Sequence, residues 1–129
     1  MLHAVSVAIA LAMATSVLAQ DANQTDRVAI ELSSFKFTPS TITLEHGRPY
    51  VLHLSNKASG GHNFVAKSFF AAADVAPADR ARLSKGGISL DGGDQADIHF
   101  VAPAPGRYEV RCTHFMHQTF GMKGEIIVR

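Results

Sequence analysis

Residues 107–128 read Arg107-Tyr108-Glu109-Val110-Arg111-Cys112-Thr113-His114-Phe115-Met116-His117-Gln118-Thr119-Phe120-Gly121-Met122-Lys123-Gly124-Glu125-Ile126-Ile127-Val128. Tyr108, Val110 and Cys112 alternate with Arg107, Glu109 and Arg111, the period of two expected of a strand with one buried face. Gly124 to Val128 reads as a closing strand. The loop between them holds a thiol, two imidazoles and two thioethers, all soft or borderline metal donors.

The same period extends upstream. Val28, Ile30 and Leu32 alternate with Ala29 and Glu31, and Ile42 and Leu44 with Thr41, Thr43 and Glu45. After the turn His46-Gly47-Arg48-Pro49, Tyr50, Leu52 and Leu54 face one way while Val51 and His53 face the other. Ala96, Ile98 and Phe100 alternate with Gln95, Asp97 and His99. Ser55 to Gly61 and Pro103 to Gly106 are rich in turn formers. One segment breaks the pattern: Ser68 to Leu83 is alanine-rich, with Phe69, Ala72, Ala73 and Ala76 at helical spacing. Ser68 reads as its N-cap, and Pro77 as the start of a second short helix. Seven or so strands at this spacing predict an all-β Greek-key sandwich or barrel with a short helical insertion around residues 68–84.

The chain has 129 residues, and twelve Lys+Arg against eleven Asp+Glu leave a net charge of +1, without the field of a nucleic-acid binder. Its one cysteine excludes an intramolecular disulfide and any CxxC pair. Ala4 to Leu18 is an apolar run too short for a confident membrane span, and Val17-Leu18-Ala19 before Gln20 fits a secretory cleavage site. Residues 1–19 are therefore expected to be a signal peptide and residues 20–129 one exported, periplasmic domain with no span after cleavage. No cysteine near that site offers a lipid attachment. An exported lone thiol is exposed to oxidation, so its presence needs a chemical reason.

A metal supplies that reason. Gly60-Gly61-His62-Asn63-Phe64 puts a further imidazole at the end of a glycine-rich loop, just before a strand, and a Greek-key sandwich brings such loops together at one end. Imidazoles, one thiolate and a weak thioether suit copper: zinc rarely takes a thioether, and iron–sulfur clusters need more thiolates.

His62-Asn63 followed by Cys112-x4-His117-x4-Met122 and Lys123-Gly124-Glu125-Ile126-Ile127-Val128 resembles the cupredoxin family of azurin, plastocyanin and rusticyanin. The likeness covers nearly the whole mature chain, including Phe35-Lys36-Phe37-Thr38-Pro39 and Pro105-Gly106-Arg107-Tyr108. It implies one mononuclear copper, with His62, Cys112 and His117 as equatorial ligands and Met122 as the long axial one. Asn63 resembles the azurin-type asparagine that tethers the two ligand loops. The pattern departs at His114 and Met116, where the family more often has an apolar residue, Pro or Gly. A ligating His114 would leave only Thr113 between two ligands, so His114 is read as lying beside the site.

The resemblance implies an electron carrier cycling between Cu(I) and Cu(II), a monomer and not an enzyme. Its partners would be redox proteins of the cytochrome, oxidase or reductase type, docking at an apolar rim drawn from Phe115, Met116 and Phe120 around His117, with Phe120 expected to pack inward. The alternative is a periplasmic copper chaperone or scavenger on the same fold, serving copper-handling proteins. His46, His53 and His99 are read as solvated surface residues.

Overall fold

The alternation along the chain becomes the two facing layers of a sandwich. The structure, a computed structural model, describes residues 25–114 and 121–129. The expected signal segment lies outside the described residues. In chain order the elements are β1 (Asp26–Ser33), β2 (Lys36–Thr38), β3 (Thr41–Leu44), β4 (Pro49–Asn56) and β5 (His62–Val65). There follow α1 (Lys67–Ala72), β6 (Asp74–Val75), α2 (Pro77–Arg80), β7 (Gly87–Leu90), β8 (Gln95–Val101), β9 (Gly106–Arg111) and β10 (Lys123–Val128).

Two five-stranded sheets form, ordered β2-β1-β4-β8-β6 and β3-β10-β9-β5-β7. β1 runs parallel to β4, and β3 parallel to β10, while the other pairs are antiparallel. The apolar series expected to face inward do so: Ile30 and Leu32, Ile42 and Leu44, Tyr50, Leu52 and Leu54, Ala96, Ile98 and Phe100, then Val110 and Cys112 are all buried, while Val28 and Tyr108 are half-buried against the core. A slip of one residue in any strand would turn its set to solvent, so these faces fix the register.

The helical insertion closes one side of the core. Phe69 and Phe70 of α1 are buried, and Phe69 packs edge-on against Phe100 and Tyr108 at ring-centroid distances of 5.2 and 5.5 Å. Phe70 meets Phe64 of β5 at 6.2 Å, and Phe64 meets Phe37 of β2 at 5.5 Å. Each such side chain contributes roughly 1.5–3 kcal/mol by leaving water.

The expected cap is corrected: α1 starts after Ala66, which makes no side-chain cap bond, and Ser68 lies inside the helix. The burial of two adjacent phenylalanines sets this short helix in place without a cap. Pro77 does open α2. Between the helices, β6 adds a two-residue edge to β8, a length too short to show a period.

Candidate metal centre

His62 opens β5, and Cys112 directly follows β9. The pairing of Val65 with Arg111 sets the two strands so that His62, Phe64 and Cys112 point inward while Asn63 and Thr113 meet outside. His62 is 3% exposed and Cys112 0%. His62 Nδ1 stands 3.9 Å from Cys112 Sγ. Metal–sulfur and metal–nitrogen bonds sum to about 4.3–4.4 Å. One ion can therefore touch both atoms without the backbone moving.

Met122, the residue before β10, is fully buried, and its carbonyl accepts from the Cys112 backbone N–H at 3.1 Å. Its residue thus sits across the strand pair from Cys112. His117 lies outside the described residues, as do Phe115, Met116 and Phe120 of the expected rim. Among the described residues, no group of three or more His, Cys, Asp and Glu side chains is gathered to hold a metal. The described part of the candidate site is His62, Cys112 and the buried Met122.

The two loops are laced residue by residue. The Asn63 backbone N–H points at Cys112 Sγ at 3.5 Å, so the β5 backbone is tied directly to the sulfur. The Thr113 N–H donates to Asn63 Oδ1 at 2.7 Å, and Asn63 Nδ2 donates to Thr113 Oγ1 at 2.8 Å. One residue further out, His114 Nδ1 donates to the Gly61 carbonyl at 2.9 Å. A carbonyl only accepts, so this bond puts the ring proton on Nδ1. A Cβ at position 61 would lie 3.3 Å from His114 Cε1, so glycine lets the ring approach.

The residue missed from sequence is Asn56, which ends β4 at 1% exposure. Its Nδ2 donates to the carbonyls of Gly60 at 2.9 Å and of Leu90 and Asp91 at 3.1 Å, while its Oδ1 accepts from the Ala58 N–H at 3.0 Å. Asn56 thus clamps the 57–61 loop against the β7–β8 turn. A Cβ on Gly92 in that turn would stand 2.2 Å from the Ser59 carbonyl oxygen, which measures how tightly the two loops meet. The available signal was a polar residue on the inward period of Tyr50, Leu52 and Leu54.

The remaining described histidines, His46, His53 and His99, have partners. His46 Nδ1 bonds the Pro103 carbonyl at 2.8 Å, His53 Nδ1 bonds Asp97 Oδ1 at 2.6 Å and His99 Nδ1 bonds Asp79 Oδ2 at 2.9 Å. The surface reading holds for His46 and His99, which are exposed, but His53 is half-buried. Its ring lies over β4 and β8, where Asp97 draws it in. Asp79 is buried, which pushes its carboxyl up. The His99 backbone N–H and ring, with Arg82, outweigh that and hold it below the ordinary carboxylate value.

The class is therefore a two-sheet β-sandwich whose loop end buries a thiol and an imidazole within reach of one ion. The chain belongs to the cupredoxin-like domain family, whose model matches residues 4–128. Among solved structures, a dithionite-reduced auracyanin from Roseiflexus castenholzii has a TM-score of 0.62 and 21% identity, over 81% of this chain and 98% of that one. Auracyanin A, a "blue" copper protein from Chloroflexus aurantiacus, has a TM-score of 0.55 and 21% identity, over 80% and 99%. A multicopper oxidase from Campylobacter jejuni has a TM-score of 0.60 and 10% identity, over 81% of this chain but 30% of the oxidase.

Proposed function

We propose that the chain is an exported one-electron carrier holding a single copper at His62, Cys112, His117 and Met122. The observation that carries this reading is the buried His62 Nδ1–Cys112 Sγ pair at 3.9 Å, with the Asn63 N–H on the sulfur. One thiolate, imidazoles and a thioether form the donor set of electron-transfer copper sites. Bound copper would supply a reversible Cu(I)/Cu(II) couple.

The chain's own residues explain why such a couple would turn over quickly. The Asn63–Thr113 and His114–Gly61 bonds fix the two ligand strands, so the donors keep their places whichever charge the site carries. Burial of His62, Cys112 and Met122 excludes water from the described part of the site. Cys112, continuous with β9, gives a covalent route from the sulfur into the sheet. The likeness to auracyanin A, a "blue" copper protein, supports a copper site on this fold. Periplasmic export rests on the apolar Ala4–Leu18 run, and no helix among the described residues is long and apolar enough to cross a membrane.

The test is optical. Adding Cu(II) to the purified chain should give an intense red-region thiolate band that bleaches reversibly on reduction. A colourless chain that binds Cu(I) tightly would instead make it a copper chaperone or scavenger. No copper binding of either kind would sink both readings. Replacing His117 should abolish or grossly alter the band.

A further inference from the structure

The net charge of +1 hides a pattern on the outer face of the β10–β9–β5–β7 layer. Lys123 pairs directly with Arg111, Arg111 with Val65, and Val65 with Gly87, so these four residues form one row across the sheet. Lys67 lies two residues beyond Val65, and Lys85 two before Gly87. A Cβ on Gly86 would stand 2.4 Å from Lys67 Cγ, so the Lys67 stem packs against the turn that carries Lys85. Lys123, Arg111, Lys67 and Lys85 thus make a cationic stripe one row behind Cys112. With Glu109 counted, four positive charges and one negative leave the stripe at +3, against −2 for the rest of the chain.

A solvated salt-bridge ladder explains only part of this face. Glu109 pairs with Arg111 and Glu125 with Arg107, but Lys67, Lys85 and Lys123 have no carboxylate partner among the described residues. Glu109 already takes up Arg111, so the uncompensated charge of the stripe sits on Lys67, Lys85 and Lys123, which an acidic surface from outside would complement.

The stripe also borders a depression. A groove of about 500 Å3 is lined by Asn63, Lys67, Lys85, Ser89 and Thr113 among others. A second of about 350 Å3 adjoins it through Val65, Lys67 and Thr113 and takes in Arg111 with its partner Glu109. Arg111 and Thr113 are the covalent neighbours of Cys112, and Asn63 donates its N–H to the sulfur.

We propose that this basic groove is the docking surface for an acidic redox protein, whose electron would pass to or from the site through Cys112 and its neighbours. The inference rests on the copper reading above. One electron moves between the copper and the partner's own redox centre, and no atom is transferred. Cations gathered on one face steer an anionic partner at long range, an effect that salt removes.

Two probes test it. Amide spectra of the full metal-free chain, titrated with the redox-inert trianion hexacyanochromate(III), should broaden at Asn63, Val65, Lys67, Lys85 and Thr113. The double variant K67E/K85E should lose that broadening. No broadening, or broadening centred on Arg27, Arg48 or Arg82, overturns the proposal. This measurement needs no copper, so it decides even if the red band never forms.

With copper loaded and reduced, oxidation by hexacyanoferrate(III) at low ionic strength should slow about tenfold in K67E/K85E. It should slow less than about twofold in R129E, a charge reversal at the far end of β10. Equal slowing in both overturns a local site. Co-sedimentation with phosphatidylglycerol vesicles at physiological salt, lost in K67E/K85E, would assign the stripe to lipid and overturn it as well.

Discussion

Histidine appears in two regions of this molecule with opposite company. On the outer face of β4 and β8, His53 and His99 turn Nδ1 to the carboxylates of Asp97 and Asp79. At the loop end, His62 turns Nδ1 to a buried sulfur, and His114 donates to a backbone carbonyl. A ring bound to a carboxylate completes an ion pair or hydrogen bond that holds surface elements together. A ring turned to a thiol, with both side chains buried, is placed to share a metal ion with it. Residue type is common to both regions, and the partner decides the role.

The largest expected effect breaks the comparison if it is wrong. His62→Ala or Cys112→Ser should abolish the red absorption of the copper-loaded protein, while His53→Gln and His99→Gln should leave band position and intensity unchanged. A band that survived Cys112→Ser would remove the sulfur from the site. A band lost in His53→Gln would show that the outer face is not merely structural.

The next effect is on stability at the loop end. Asn56→Ala leaves three carbonyls and the Ala58 N–H without their amide partner in a buried place. We expect a loss of about 3 kcal/mol, since each buried group left unpaired costs about 1–3 kcal/mol and the loop can relax. For a domain of this size that lowers Tm by roughly 10–15 °C in thermal denaturation of the metal-free chain. A drop of under about 3 °C would mean that the 57–61 loop holds itself.

The sandwich was legible because its signal is repeated: every buried face of β1, β3, β4, β8 and β9 shows as a period of two. The ligand candidates were legible from chemistry, since a lone thiol followed by a histidine five residues on and a methionine ten on has few bland explanations. What holds them was not. Asn56 acts on carbonyls 4, 34 and 35 residues away, and the His114–Gly61 bond spans 53. Such partners are set by the meeting of loops and leave no local period. Asn63 was read through the resemblance, and its bonds to Thr113 agree with it. The cationic stripe stayed hidden because Lys67, Lys85, Arg111 and Lys123 come together only when four strands align.

On the outer face, Asp79 should matter more than either histidine. Its carboxylate accepts from the His99 backbone N–H at 2.8 Å and the His99 ring at 2.9 Å, and Arg82 reaches it at 3.4 Å. Asp79→Ala should cost roughly 2 kcal/mol, within the range for hydrogen bonds to a charged group. Its folded-state pKa lies below the unfolded one, so the carboxylate adds stability above about pH 4. That stability is lost as acid titrates Asp79 through its lower folded value. Denaturant midpoints from pH 7 to pH 2 should therefore fall less steeply for Asp79→Asn than for the wild type. An equal fall would place the acid sensitivity elsewhere.

The smallest expected effect separates a tie from a ligand within the loop end itself. His114→Ala removes one hydrogen bond to the Gly61 carbonyl, worth about 1 kcal/mol. His114 is partly exposed, so water can replace its donor, and Asn63–Thr113 still joins the same two strands. The metal-free chain should lose about 3–5 °C in Tm. The copper-loaded chain should keep its red band with a small shift in position, because His62 and Cys112 stay buried and aligned. Loss of the band in His114→Ala, with His117→Ala retaining it, would make His114 the second imidazole ligand.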